Sequence, residues 1–199
     1  MSILHFPYTG RPRRPRDPTP ATRYHWPMAR IAILTTSDKG AAGERDDVSG
    51  DTIEQRCLEA GHAIAARVVV PDDRRTIAGV LASWCDAGTV DVVITTGGTG
   101  LTPRDVTPEA TRDIGERDVP ALPTALAVAG LQKTPYAALS RGVAVTRGRT
   151  LVVNLPGSPK AVSEGLDVLL PLLSHAAELL AGPVEHDAPG PKPTVQDAR

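Results

Sequence analysis

Hydrophobic positions along the chain switch repeatedly between unbroken runs and a spacing of three to four residues. Arg30-Ile31-Ala32-Ile33-Leu34-Thr35-Thr36 is nearly continuous in apolar character, as a parallel strand covered on both faces requires. After a polar loop, Gly50 to Ala60 carries Ile53, Cys57 and Leu58 on one helical face, and Gly61 is placed to follow the cap. Ala63–Val70 predicts a second strand. Asp72 or Asp73 is set to cap a helix whose Ile77, Val80, Leu81 and Trp84 keep helical spacing. Val90–Thr96 predicts a third strand, and Thr107-Pro108-Glu109 reads as N-cap, N1 proline and acidic first turn. A further apolar helix is expected near Pro120–Gly130. Short strands follow near Ala138–Val145 and Thr150–Asn154, turning through Arg147-Gly148-Arg149. A last helix over about Lys160–Ala181 turns Leu166, Leu169, Leu170, Leu173 and Leu180 inward. Repeated strand–helix units imply a three-layer α/β fold, a mostly parallel sheet with helices on both faces and right-handed crossovers.

The ends break this pattern. Residues 1–28 hold Phe6, Tyr8, Tyr24 and Trp26 and a basic, proline-rich run from Arg11 to Arg16. Proline at that density continues neither helix nor central strand, so the segment reads as a disordered basic extension. A polyanion-contacting arm is the functional alternative, and Met28, just before the first strand, is an alternative start. The tail 183–199, with Pro183, Pro189, Pro191 and Pro193, is likewise expected to be non-folding. The domain is therefore expected over 29–182.

Composition narrows the class. The chain has 199 residues, a size for one sizeable domain, and its net charge of -1 supplies no global basic field for nucleic acid or acidic membranes. No apolar run reaches the roughly 20 residues of a membrane helix. Aromatic residues are 3% of the chain, which disfavours base-stacking modules. Cys57 and Cys85 form no CxxC pair, so neither a disulfide framework nor a zinc knuckle is expected, and a cytoplasmic setting is the default.

Candidate chemistry sits just beyond the strands, where ligands bind in such sheets. The first strand ends in Ser37-Asp38 and the second in Pro71-Asp72. The third ends in Gly97-Gly98-Thr99-Gly100, followed by Arg104-Asp105, and the last in Asn154-Leu155-Pro156-Gly157-Ser158-Pro159-Lys160. The glycines can expose backbone amides as a phosphate-binding concavity, or form a purely structural turn. The loop matches neither GxGxxG nor GxxxxGK[ST]. Asp105 close behind it would repel phosphate unless a cation such as Mg²⁺ lies between them. His62 and His175 are read as structural, and no HExxH or GxSxG occurs. Asp38, Asp46 and Asp47 are read as solvated loop residues, and Arg149 as a surface charge.

These blocks, in this order, resemble the molybdenum-cofactor biosynthesis family of molybdopterin-binding domains, molybdopterin adenylyltransferases above all. The stretches that carry the likeness are Thr36-Ser37-Asp38, Val70-Pro71-Asp72, Thr95 to Gly100, Arg104 to Thr111, Leu139-Ser140-Arg141 and Asn154 to Lys160. The resemblance implies an enzyme, usually a trimer, that joins AMP from Mg-ATP to the terminal phosphate of molybdopterin. It places the family's two acidic catalytic positions on Asp72 and Asp105. Ligand-binding positions fall on Ser37, Asp38, Gly97, Gly98, Thr99, Gly100, Ser140, Arg141, Asn154, Pro156, Gly157, Ser158 and Lys160. A molybdenum-inserting protein is a further expected partner. Two departures stand out: Pro123-Thr124-Ala125-Leu126-Ala127 lacks the Glu and Arg of many bacterial members, and Val145 replaces a glycine common before the Arg-Gly turn.

The chemistry assigns roles within that expectation. A phosphate monoester has its second pKa near about 6 and is largely dianionic at neutral pH, so no strong general base is needed. The reaction needs alignment of two repelling phosphates and neutralisation of the leaving pyrophosphate. Asp72 and Asp105 are accordingly expected to hold Mg²⁺ and position phosphate. Lys160 and Arg141 are candidate phosphate partners, with a first-turn surface lysine as the equal alternative for Lys160. Competing readings are a non-adenylylating pterin-binding relative and a scaffold module of the same fold.

Overall fold

The computed structural model describes residues 28–182, and the expectations on 1–27 and 183–199 lie outside the described residues. In chain order these residues form β1 (Arg30–Thr36), the single turn α1 (Asp38–Ala41), α2 (Val48–Glu59), β2 (Ala63–Val70), α3 (Arg74–Asp86), β3 (Val92–Thr96) and α4 (Thr107–Ile114). Then follow β4 (Arg117–Asp118), α5 (Ala121–Leu131), a 3-10 turn (Pro135–Leu139), β5 (Ala144–Arg147), β6 (Thr150–Leu155) and α6 (Pro159–Ala181).

The six strands make one sheet in the order β2-β1-β3-β6-β5-β4. The first four run parallel; at one edge β5 pairs antiparallel with β6 and β4 antiparallel with β5, so β5 alone runs against the other strands. Alternation along each central strand feeds two cores. Ile31, Ile33, Val92, Ile94, Val153 and Leu155 face α2, α5 and α6, where Ile53, Val162, Leu166 and Leu169 meet them. Ala32, Leu34, Val93 and Val152 point to the opposite face, onto Ile77 and Leu81 of α3 and Ala110 of α4. Both faces being covered explains why these strands are apolar at nearly every position. The expected three-layer α/β arrangement, mostly parallel with helices on both faces, is the observed one.

Two local expectations change. The strand expected over Ala138–Val145 is divided: Thr134 caps the 3-10 turn, its Oγ1 accepting from the Tyr136 amide at 3.4 Å, and extended pairing begins only at Ala144. The residues between, Ser140 to Val143, build the site instead. The cap of α4 is Val106, not Thr107. The Thr107 hydroxyl is engaged with that of Thr36 at 3.0 Å and so is not the helix's cap. Where Asp72 and Asp73 were alternatives, Asp73 caps α3, accepting from the Thr76 amide at 2.8 Å.

Candidate functional site

From β1 the chain crosses to β2 on one side and later to β3 on the other, so the carboxyl ends of β1 and β3 flank the switch point at which open α/β sheets bind ligands. Backbone approach there is close. Gly97 has φ +94, and a Cβ on it would lie 2.3 Å from the Thr36 carbonyl oxygen. Gly98 has φ +60, and its Cβ would lie 2.4 Å from Thr107 Oγ1 and 3.2 Å from Asp72 Oδ1. These two positions admit glycine alone. The Gly98 carbonyl accepts from the Thr107 amide at 3.1 Å, which ties the loop to the start of α4.

The three rim carboxylates are unequal. Asp38 is held by Arg104 through both of its oxygens, at 2.6 and 2.7 Å from Nη2, and that bond keeps its carboxyl below the usual range. Burial pushes the Asp72 carboxyl up, and the charges of Asp38 and Asp105 act the same way. Burial also acts upward on Asp105, but hydrogen bonds from Thr102 and the Gly100 amide, with the Arg141 charge, bring it below the usual range. Two neighbouring carboxylates are thus driven apart in acidity, an arrangement typical of sites with distinct tasks. Among the described residues, Asp72 Oδ1 and Thr146 Oγ1 are the buried side-chain polar atoms without a hydrogen-bond partner. Thr146 pairs with Leu151 near the start of β6, at the other end of the sheet.

Arg141 organises the loop behind Asp105. Its Nε donates to the Gly100 carbonyl at 2.6 Å, Nη2 donates to the Asp105 carbonyl, and Nη1 pairs with Glu109. Its own amide donates to the Thr99 carbonyl at 2.9 Å. The guanidinium expected as a phosphate partner is therefore engaged by protein groups. Asn154 plays a matching internal part: Nδ2 donates to Thr95 Oγ1 at 2.9 Å and Thr111 Oγ1 at 3.0 Å, and Oδ1 accepts from the Val143 amide at 3.1 Å. The loop after it is pinned by Thr96 Oγ1 to the Pro156 carbonyl at 2.7 Å and by Ser49 Oγ to the Gly157 carbonyl at 2.8 Å.

Two cavities open on this rim. One, of about 510 Å³, is polar and includes Ser37, Asp47, Gly97, Asp72 and Arg104 in its wall. The other, of about 530 Å³, runs between α5, the 3-10 turn and α6, and takes Thr99, Gly100, Ser140, Asn154, Pro156 and Ser158 as its polar side. Gly98, Asp105 and Gly157 belong to both walls. Most sequence-predicted positions are thereby brought together. Ser37 and Ser158 also cap helices, their Oγ atoms accepting from the amides of Gly40 and Ala161. Asp38 and Lys160 line neither cavity, and Lys160 is exposed in the first turn of α6.

Residues 32–175 match the model of a family described as a probable molybdopterin binding domain. The chain belongs to that family. It is 40% identical over 155 residues to the molybdenum cofactor synthesis protein cinnamon of Drosophila melanogaster, covering 77% of this chain but 26% of the fly protein. It is 35% identical over 159 residues to a molybdopterin adenylyltransferase of Helicobacter pylori, covering 76% of this chain and 88% of that enzyme. In three dimensions it resembles the molybdopterin biosynthesis enzyme MoaB of Thermus thermophilus, with a TM-score of 0.74, 50% identity, and 78% and 98% of the two chains covered.

Within this molybdopterin-binding domain, sequence reasoning passed over several residues of the rim. Asp47 is no solvated loop residue: its side chain is 11% exposed, caps α2 at Gly50, accepts from Thr35 Oγ1 at 2.9 Å and pairs with Arg67 at 2.8 Å. Its position three residues ahead of Gly50 is a capping signal legible in the sequence. Arg104 and Thr36 carry no such local signal, since their partners lie 66 and 71 residues away. The thiols of Cys57 and Cys85 are buried and pushed up to about 12 and about 11, so neither is a nucleophile. No helix among the described residues is long and apolar enough to cross a membrane.

Proposed function

We propose that this chain catalyses Mg-ATP-dependent adenylylation of molybdopterin, releasing pyrophosphate. The observation that carries the reading is the junction of the two cavities at Gly98 and Asp105, beside the partnerless Asp72 Oδ1. Two phosphate-bearing ligands seated in the two cavities meet there. The identity to an adenylyltransferase over most of its length supports the same reading.

A phosphate oxygen of molybdopterin attacks the α-phosphorus of ATP, forming the new P–O bond as the bond to pyrophosphate breaks. The protein aligns the partners and lowers their repulsion. Among the described residues no group of three or more His, Cys, Asp and Glu is arranged around a metal. Mg²⁺ does not require such a group, since one or two carboxylates commonly hold it together with substrate phosphates and waters. Asp72 and Asp105 are the carboxylates that fit. Held there, Mg²⁺ would supply charge neutralisation for the leaving pyrophosphate. The amides of Gly97 to Gly100 contact phosphate, Ser37 faces the polar cavity, and Ser140, Asn154, Pro156 and Ser158 shape the apolar one. Arg141 holds this wall in place from behind. Assembly as a homotrimer belongs to the reading, supported by exposed Val128 and Leu131 on α5. Light scattering tests it.

The deciding experiment gives purified protein molybdopterin and Mg-ATP and measures pyrophosphate. Molybdopterin-dependent release supports the reading. Binding of molybdopterin without release points instead to a non-adenylylating relative.

A further inference from the structure

The apolar cavity is walled by Pro123, Leu126 and Ala127 of α5, Leu139 of the 3-10 turn and Ala161 of α6. Two carboxylates reach it. Asp105 also lines the polar cavity, whereas Glu164 lines the apolar one alone. Glu164 is half-buried and has no hydrogen-bond or ion-pair partner among the described residues, although Lys160 stands one turn earlier on the same helix. From Ala121 to Leu131, α5 contains no ionisable residue, so it brings no cation to the cavity. The neighbouring Gly165 seats the helix tightly: a Cβ there would lie 3.0 Å from Leu155 Cδ2 and 3.5 Å from Leu126 Cδ2. The carboxylate is thus presented from a rigid element, facing an apolar space, with its acceptor capacity unused.

Such a carboxylate binds strongly once it meets two donors in an apolar setting. A phosphate would be repelled. Adenine sets its amino donor beside the N1 acceptor, so it satisfies one carboxylate oxygen and opposes the other. A 2-amino-4-oxo pteridine offers an exocyclic amine beside the ring N3–H, two adjacent donors on a flat ring whose faces suit apolar walls. We infer that Glu164 selects the pterin ring by accepting from these two donors. The inference rests on the reading that molybdopterin is a substrate and names the residue that recognises it.

The test is fluorescence titration of wild-type protein and Glu164→Gln with 6-hydroxymethylpterin and 6-hydroxymethyllumazine, which carries a 2-oxo group in place of the 2-amino group. No nucleotide or metal is added. The wild type is expected to prefer the pterin by about 10²-fold, because a site built for a donor rejects the analogue lacking it. Glu164→Gln should lose at least about tenfold of that preference with an unchanged melting temperature. An absent preference in the wild type overturns the inference, as does an unchanged ratio in Glu164→Gln, and so does a defect confined to the KM for ATP. Pyrophosphate release is measured alongside. A wild type that turns over while the ratio is unmoved rejects Glu164 alone, whereas a preference without turnover rejects adenylylation alone.

Discussion

The amides of Asp38 and Asp72 each donate to the other's carboxylate, at 3.1 and 3.0 Å. This exchange locks the loop after β1 to the loop after β2. It uses Asp72 Oδ2 and leaves Oδ1 buried without a partner beside Gly98. Arg104 is held at the outer side of the same pair.

Asp72→Asn should separate stability from activity. Because burial raises the Asp72 carboxyl, its contribution to stability is present below the ordinary carboxylate range and is lost as pH rises through the raised value. The variant removes that loss. At neutral pH its melting temperature should match or exceed the wild type by no more than about 3 °C, and the difference should vanish below about pH 4. Turnover should fall about 10²-fold. Thermal melts across pH and a pyrophosphate assay check both arms, and a variant markedly less stable at neutral pH would contradict the first.

Asp105→Asn keeps the shape that accepts from the Thr102 amide at 2.7 Å and removes the charge. Adenylylation should fall about 10²-fold or more across a Mg²⁺ titration, while metal-free pterin binding stays nearly unchanged. Combined with Asp72→Asn, the loss should be less than additive if the two carboxylates serve one ion. Wild-type turnover in Asp105→Asn would remove the role assigned to it.

Arg141 braces the Gly100 and Asp105 carbonyls as well as Glu109. Arg141→Ala should lower stability by about 1–3 kcal/mol, and lysine should not restore it, because a single ammonium cannot reach three divergent acceptors. Denaturant unfolding of both variants gives the answer. Full rescue by Arg141→Lys would show that charge alone matters.

Gly98→Ala sets a methyl group against Thr107 Oγ1, Thr36 Oγ1 and Asp72 Oδ1 at a positive φ. It should cost about 2 kcal/mol or more and abolish turnover. Gly148→Ala is the control: φ is +52 there too, but nothing lies within 4 Å of the added atom, so activity should survive.

Much of this was legible because strands, caps and glycine-rich turns are local. The run from Ile31 to Thr36 signals a doubly covered strand by itself, and the order of strand ends is enough to set Ser37, Asp72, Gly97 and Asn154 on one rim. What stayed hidden depends on partners distant in sequence. Thr107 has every local mark of a helix cap, yet its hydroxyl meets Thr36 on another strand end. Arg141 looks like a free cation until Gly100, Asp105 and Glu109 fold around it. Lys160 shows the converse, a residue in a binding stretch that the helix turns out to solvent. The orphaned acceptor of Asp72 and the bare carboxylate of Glu164 are properties of enclosure, which no spacing records.

The wall formed by Gly98, Asp105 and Gly157 is common property of the two cavities, with Arg141 fastened behind it. Whatever an occupant of one chamber does to that partition, the occupant of the other must feel by the same factor. Where that partition couples the chambers, the apparent affinity of each depends on how full its neighbour is.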